Sequence, residues 1–287
     1  ELLTINRVAA TMGVKAPISI RVNPDVDPRT HAYISTGLKK NKFGIAIERA
    51  LIEYRAARDL ENIEVLGVDC HIGSQITELE PFGDAMERLK ALILTLRGEG
   101  MDIKYLDIGG GLGIPYSDET PPAPDEYARA VLKVVGDLGC TLVLEPGRAI
   151  AGNAGILVGK VLYTKEGEAK RFLISDAAMN DLVRPSLYGS YHAILPVRQG
   201  VAIARADLVG PICESGDFLA KDRDLPAMEA GDLFAAMSAG AYGFSMSSNY
   251  NSRPRVAEVM VSGDKYQVIR QRESYEDLVK GESVPVF

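Results

Sequence analysis

Long apolar runs are missing from this sequence. No stretch approaches the roughly 20 residues that a membrane-spanning helix needs, and the first residues carry no basic segment followed by an apolar one of the kind that directs export. A soluble, cytoplasmic chain is the expectation. Cysteine is scarce as well. Cys70, Cys140 and Cys213 are odd in number and widely spaced, which argues against a disulfide framework or a cysteine-held zinc and suits a reducing compartment. The three histidines form no His-x-x-x-His pair and no Cys/His cluster, so no metal site is expected. Positive charge is in deficit: 32 Lys and Arg stand against 39 Asp and Glu, a net charge of -7 with a pI near 5.2. Nucleic acids and anionic membranes call for a basic face that neutralises phosphates, so the expected partner is a small molecule.

What is present is an ordinary globular composition, 46% hydrophobic and 25% charged over 287 residues, enough for one large domain or two medium ones. The opening residues 1–10 have apolar side chains at helical spacing from the first turn, and the true start of the domain is expected upstream. Short β-rich apolar segments lie at 18–22, 65–68, 105–108 and 142–144, and residues 45–58, 81–97 and 125–138 between them place apolar residues three and four apart. This alternation predicts parallel strands joined by crossover helices, in a barrel or a doubly wound sheet.

The polar residues decide between the two. Asn23-Pro-Asp25, His71-Ile-Gly-Ser74, Gly109-Gly-Gly111 and Glu145-Pro-Gly-Arg148 each follow directly on the end of a strand, and (β/α)8 barrels carry their chemistry on that rim. Four such motifs from successive strands converge only on a closed ring. The expected fold is therefore α/β: the C-terminal half of a TIM barrel, strands five to eight, over residues 1–152, with open edges. After Gly152 the helical period fades. Short β-type runs at 156–163, 171–174, 201–209, 233–237, 256–261 and 266–270 predict a mostly antiparallel, sandwich-like β domain over 153–287.

Taken one at a time, the candidate functional residues are ambiguous. Gly109-Gly-Gly-Leu-Gly113 has the composition of a phosphate-cradling loop, yet a tight strand-to-helix turn uses glycine equally. It is no dinucleotide fingerprint, because Ile114 stands where the third glycine belongs; nor is it a P-loop, since Gly159-Lys160 is followed by Val161. His71 is by itself more often a satisfied polar residue than a functional one. Glu145 is suited to hold a cofactor nitrogen protonated, but alone it reads better as a surface ion pair with Arg148. Cys213, beside Glu214, reads first as a small apolar side chain.

Together these segments resemble the alanine-racemase-like class of pyridoxal phosphate enzymes, and within it the diaminopimelate decarboxylases, over essentially the whole chain. Besides the rim motifs the resemblance rests on residues 31–37, Asn41-Lys-Phe-Gly44, Met179-Asn-Asp-Leu-Val-Arg-Pro-Ser-Leu-Tyr188, Gly210-Pro-Ile-Cys-Glu-Ser-Gly-Asp217 and Gly240-Ala-Tyr-Gly243. It implies a barrel and a β domain in a homodimer with active sites shared between subunits. His71 would stack on the pyridine ring of pyridoxal 5'-phosphate. Ser74 and the Gly109–Gly111 backbone would hold the phosphate, with Gly111, Pro146, Gly147 and Arg148 in the cofactor site. Glu145 would face the ring nitrogen, and Tyr242 would touch cofactor and substrate.

For the substrate, the resemblance implies Arg148, Arg184 and Tyr188 on a distal carboxylate. Glu214, from the partner subunit, would meet a distal ammonium, and Cys213, also from the partner, would deliver the proton that replaces the departing carboxylate. Such a set suits an amino-acid group at each end of the substrate, meso-diaminopimelate, decarboxylated to L-lysine. The alternatives are a related decarboxylase acting on arginine, ornithine or carboxynorspermidine, and a non-catalytic binding protein of the same fold. One departure stands out: the family's cofactor lysine lies in a Tyr-Ala-x-Lys-type segment, and none occurs here. Lys39, Lys40 and Lys42 belong to a different motif, so we expect that lysine in a missing first half of the barrel and the chain alone to be inactive.

Overall fold

The computed structural model describes residues 1–28, 42–168, 170–198 and 202–287, which form two compact units, Glu1–Ile150 and Ala151–Phe287. The segment 31–37, Lys39, Lys40 and Asn41 lie outside the described residues.

The first unit opens with helix α1 (Leu2–Met12), which ends on Gly13 at φ 68°, a left-handed conformation that glycine adopts at little cost. Strands β1 (Ala16–Asn23), β2 (Ile45–Ala46), β3 (Ile63–Asp69), β4 (Tyr105–Asp107) and β5 (Thr141–Val143) form one parallel sheet in the order β2-β1-β3-β4-β5. Helices α2 (Ile47–Arg58), α3 (Glu80–Gly98) and α4 (Pro124–Val135) return the chain between strands. The α3 side chains Phe82, Met86, Leu89, Ile93 and Leu96 are fully buried at three- and four-residue steps, against Ile103 and Leu106 of the β4 approach; each such burial is worth about 1.5–3 kcal/mol. Tyr54 of α2 is also fully buried. Its hydroxyl donates to the Gly67 carbonyl (2.9 Å) and accepts from the Ile20 N–H (3.4 Å), pinning α2 to two strands at once.

Two details differ from what the residue pattern predicts. Residues 45 and 46 form the two-residue strand β2, paired with Val22 and Asn23, where the periodicity places a helix, so the sheet has five strands. The last expected turn of α4, residues 136–138, is a 3-10 turn closed by Gly139 at φ 66°. Helix α5 (Arg148–Ala151) runs into the second unit.

The second unit is an α/β fold's β partner: a six-stranded sheet in the order β10-β9-β7-β6-β11-β8, with a separate hairpin. The strands are β6 (Leu157–Glu166), β7 (Arg171–Ser175), β8 (Ile194–Pro196), β9 (Ile203–Val209), β10 (Phe218–Pro226) and β11 (Leu233–Ala236), with β12 (Glu258–Ser262) and β13 (Lys265–Arg270) in the hairpin. All described pairings here are antiparallel except β7 with β9. Val161, Leu173, Leu208, Leu219, Leu225 and Phe234 form its core. Strands β8 and β10 and the short helix α6 (Arg184–Tyr188) are not among the elements that the residue pattern predicts; a final turn, α7 (Tyr275–Leu278), is capped by Ser274. No described helix is long and apolar enough to cross a membrane.

Candidate active site

The expected site residues divide between the two units. On the first, the loops after β3, β4 and β5 are knitted at the strands' C-terminal ends. Glu145 N–H donates to the Gly109 carbonyl (2.9 Å), and Cys70 N–H to the Asp107 carbonyl (2.9 Å). Gly110 N–H donates to His71 Nδ1 (3.1 Å), so that nitrogen is the acceptor and the ring proton belongs on Nε2. Burial, helped by the positive charge of Arg21, pushes His71 below the usual imidazole range and keeps it neutral.

The glycines are demanded by close approach. A Cβ at Gly109 would lie 2.5 Å from the Cys70 carbonyl, one at Gly111 would lie 2.6 Å from that of Gly73, and one at Gly110 would collide with the Glu145 carbonyl. At Gly147 a Cβ would meet nothing within 4 Å. Packing does not require that glycine; it leaves the backbone between Pro146 and Arg148 open to a bound group. Gln75, at φ 60°, clamps the glycine loop to the His71–Ser74 loop: its amide donates to the Ile114 carbonyl (2.6 Å) and accepts from the Ile114 N–H (3.2 Å).

Arg148 is 5% exposed. It donates through Nη2 to Ser74 Oγ (3.0 Å) and through Nη1 to the Tyr116 hydroxyl (2.5 Å). The surface ion pair with Glu145 is therefore not the arrangement found: Arg148 turns inward while the Glu145 side chain stands in the open. Residues near one another at this rim are thus a guanidinium beside a hydroxyl, a neutral imidazole, and an exposed carboxylate.

Asp69 closes β3 in register with Arg21 of β1 and Asp107 of β4. Burial, then the charge of Asp107, pushes its carboxyl up to about 6, and its Oδ1 has no hydrogen-bond partner among the described residues. A carboxyl raised in the folded state binds its proton more tightly there than when unfolded, so this group lowers stability as pH rises from about 4 to about 6 and stays costly above. Asp69→Asn should raise the melting temperature at pH 7, by an amount equivalent to about 1–3 kcal/mol, with the gain fading toward pH 4. Equal shifts at both pH values would contradict this.

On the second unit, Arg184 opens α6 and is 5% exposed, Tyr188 ends it, and Gly189 at φ 63° turns the chain back. Cys213 and Glu214 are exposed in the loop between β9 and β10. The buried Asp217 sets that loop: Oδ1 accepts from Met179 N–H (2.7 Å) and Oδ2 from Ile212 N–H (2.7 Å). Glu214 accepts from its own loop at Gly216 N–H (3.1 Å) and from the Tyr250 hydroxyl (3.4 Å). Tyr242, 39% exposed, holds a left-handed φ of 59°, strain that a non-glycine residue bears mainly where its side chain must be aimed. Gly240 and Gly243 on either side have no room for a Cβ, against the Ala151 and Ala239 carbonyls.

Residues 1–152 match the pyridoxal-dependent decarboxylase, pyridoxal binding domain. Over 99% of its length the chain is 58% identical to the diaminopimelate decarboxylase of Vibrio cholerae, covering 68% of that protein, and it is equally similar to that of Pseudomonas aeruginosa. The chain belongs to the diaminopimelate decarboxylase family. The structure agrees with that of the Helicobacter pylori diaminopimelate decarboxylase complexed with L-lysine at a TM-score of 0.93 and 44% identity, over 97% of this chain and 70% of that one. Diaminopimelate decarboxylases are carboxy-lyases, and the family's cofactor is pyridoxal phosphate.

The residues present fit that cofactor. Arg148 with Ser74, beside the open Gly147, offers cation and hydroxyl to a phosphate. The Glu145 carboxylate suits a protonated ring nitrogen, and the neutral His71 ring a flat aromatic face. Tyr116 and Gln75, which hold Arg148 and the glycine loop, carry no signal in the sequence: each acts on a residue more than 30 positions away, and neither lies in a motif.

Proposed function

We propose that the protein decarboxylates meso-2,6-diaminopimelate to L-lysine and CO2, the last step of lysine biosynthesis, as a cytoplasmic homodimer with shared active sites. The first unit is then the C-terminal half of the cofactor barrel and the rest the β domain. Pyridoxal phosphate supplies the electron sink that lets the Cα carboxylate leave. His71 would meet the cofactor ring, Ser74, Gly111, Gly147 and Arg148 would hold its phosphate, Pro146 would hold the turn between Glu145 and Gly147, and Glu145 would keep the ring nitrogen protonated. Arg148, Arg184 and Tyr188 hold the distal carboxylate, Tyr242 touches cofactor and substrate, and Glu214 of the partner subunit meets the distal ammonium. Cys213 of the partner subunit gives the proton to Cα. The lysine for the cofactor aldehyde is supplied from outside these 287 residues.

The observation that carries the choice of substrate is the buried guanidinium of Arg184. A distal cation alone, the amine of ornithine or the guanidinium of arginine, has no use for it, whereas a second carboxylate does. The test is to load the complete enzyme with pyridoxal phosphate and follow CO2 release from meso-diaminopimelate, ornithine, arginine and carboxynorspermidine. Turnover of meso-diaminopimelate at least a hundredfold above the others is expected. Preference for a monocarboxylate would move the protein to a sibling activity, and no turnover with cofactor bound would leave a binding protein.

A further inference from the structure

His192 is 1% exposed and lies in no motif named above. Its ring nitrogens contact Arg184 Nη1 (Nε2, 2.9 Å) and the Met237 carbonyl (Nδ1, 2.7 Å). The partners settle which nitrogen carries the proton. A guanidinium only donates, so Nε2 must present its lone pair; a carbonyl only accepts, so Nδ1 must carry the hydrogen. A doubly protonated ring would point an N–H at the guanidinium.

We propose that His192, as the neutral Nδ1–H tautomer, is the positioning residue that orients the Arg184 guanidinium toward the distal carboxylate of the substrate; this rests on the role given to Arg184 above. The backbone that carries the ring is held from both sides. Gly189 reverses the chain after α6, and the His192 carbonyl accepts from Arg223 Nη1 (2.8 Å), whose guanidinium carbon stands 3.7 Å from the Tyr191 ring centroid. Ala193 O accepts from Met237 N–H (2.9 Å), beside the pairing of Ile194 with Ala236. Met237 lies five residues before Tyr242. One imidazole thus ties the helix bearing Arg184 to the segment that leads into Gly240 and Tyr242.

The choice of histidine has a chemical reason. A carboxylate in the same place would orient Arg184 and also cancel its charge. An imidazole lone pair takes the hydrogen bond and brings no negative charge, leaving the guanidinium attractive to an anion.

Two substitutions separate this role from a merely structural one. Glutamine places a polar atom near the position of Nε2 and loses the Nδ1 donor; asparagine does the reverse. In the cofactor-loaded complete enzyme, His192→Asn should raise KM for meso-diaminopimelate about tenfold to a hundredfold, with kcat within about threefold and cofactor affinity unchanged, while His192→Gln should stay within about threefold in KM. The opposite order, or no change in either, overturns the proposal. Arg184→Ala, assayed alongside, separates the two levels: an unchanged KM there sinks the substrate reading and this proposal with it, whereas a raised KM with an unaltered His192→Asn sinks this proposal alone. Independently of whether the variants fold, 15N resonances of histidine-labelled protein should show the His192 ring protonated at Nδ1 only. An Nε2–H ring would overturn it.

Discussion

Cys213→Ala should lower turnover of meso-diaminopimelate about a hundredfold to ten-thousandfold, the usual worth of a placed proton donor, while leaving pyridoxal phosphate bound as before. In the proposed reaction the thiol acts after the substrate is in place, and the residues proposed for the cofactor, His71, Ser74, Glu145 and Arg148, lie elsewhere in the chain. Its position depends on Asp217, which takes the amides of Met179 and Ile212 on its two oxygens and so fixes the turn in which Cys213 is exposed. Cys213→Ser should rescue little, because a hydroxyl holds its proton far more tightly than a thiol. If the thiol serves the neighbouring subunit's site, mixing Cys213→Ala with Glu145→Ala protein should restore up to about a quarter of normal activity: random pairing makes half the dimers hybrid, each with one intact site. Mixed dimers without activity would place Cys213 in the same subunit as Glu145, or remove it from proton delivery.

Arg184→Ala should cost about 2–4 kcal/mol in kcat/KM for meso-diaminopimelate, the range for deleting one partner of a desolvated charge pair. Arg184→Lys should recover only part, since a lysine cannot reproduce the planar fork. The loss belongs to the substrate: cofactor absorbance and affinity should not move. A stability cost accompanies it, because the buried Nε2 of His192 loses its donor, at about 1–3 kcal/mol for an unsatisfied buried polar atom. Unchanged kcat/KM in a folded variant would take Arg184 out of the site.

Much of the first unit is legible in the order of its residues. Apolar residues at 82, 86, 89, 93 and 96 can only face one side of a helix, and glycine or polar clusters placed directly after β-type runs mark the chemical rim of a parallel sheet. The second unit is less legible, and for a definite reason. Strand β10 runs through Lys221-Asp-Arg-Asp224, with Asp222 at φ 51°, so its pattern is charge where a strand signal needs alternating apolar residues; it is a strand because β9 pairs with it. Strand β2 is too short to have a pattern, and α6, five residues with a proline at its second position, too short to have a period.

The sequence by itself determined which side chains are candidates for chemistry, since His71, Ser74, Glu145, Arg148, Arg184, Cys213, Glu214 and Tyr242 all lie in short segments whose composition is local information. Tertiary structure alone decided how they are held. Arg148 turned inward to Ser74 and Tyr116 instead of outward to Glu145, because a buried guanidinium takes whichever acceptors the fold brings to it. His71 was left with its lone pair toward Gly110, Asp69 with an uncompensated oxygen, and His192 between Arg184 and Met237. Each of these depends on contacts between residues far apart in the chain, and the direction and strength of a hydrogen bond are set by that geometry and by exclusion of water, neither of which is written in the order of neighbouring residues.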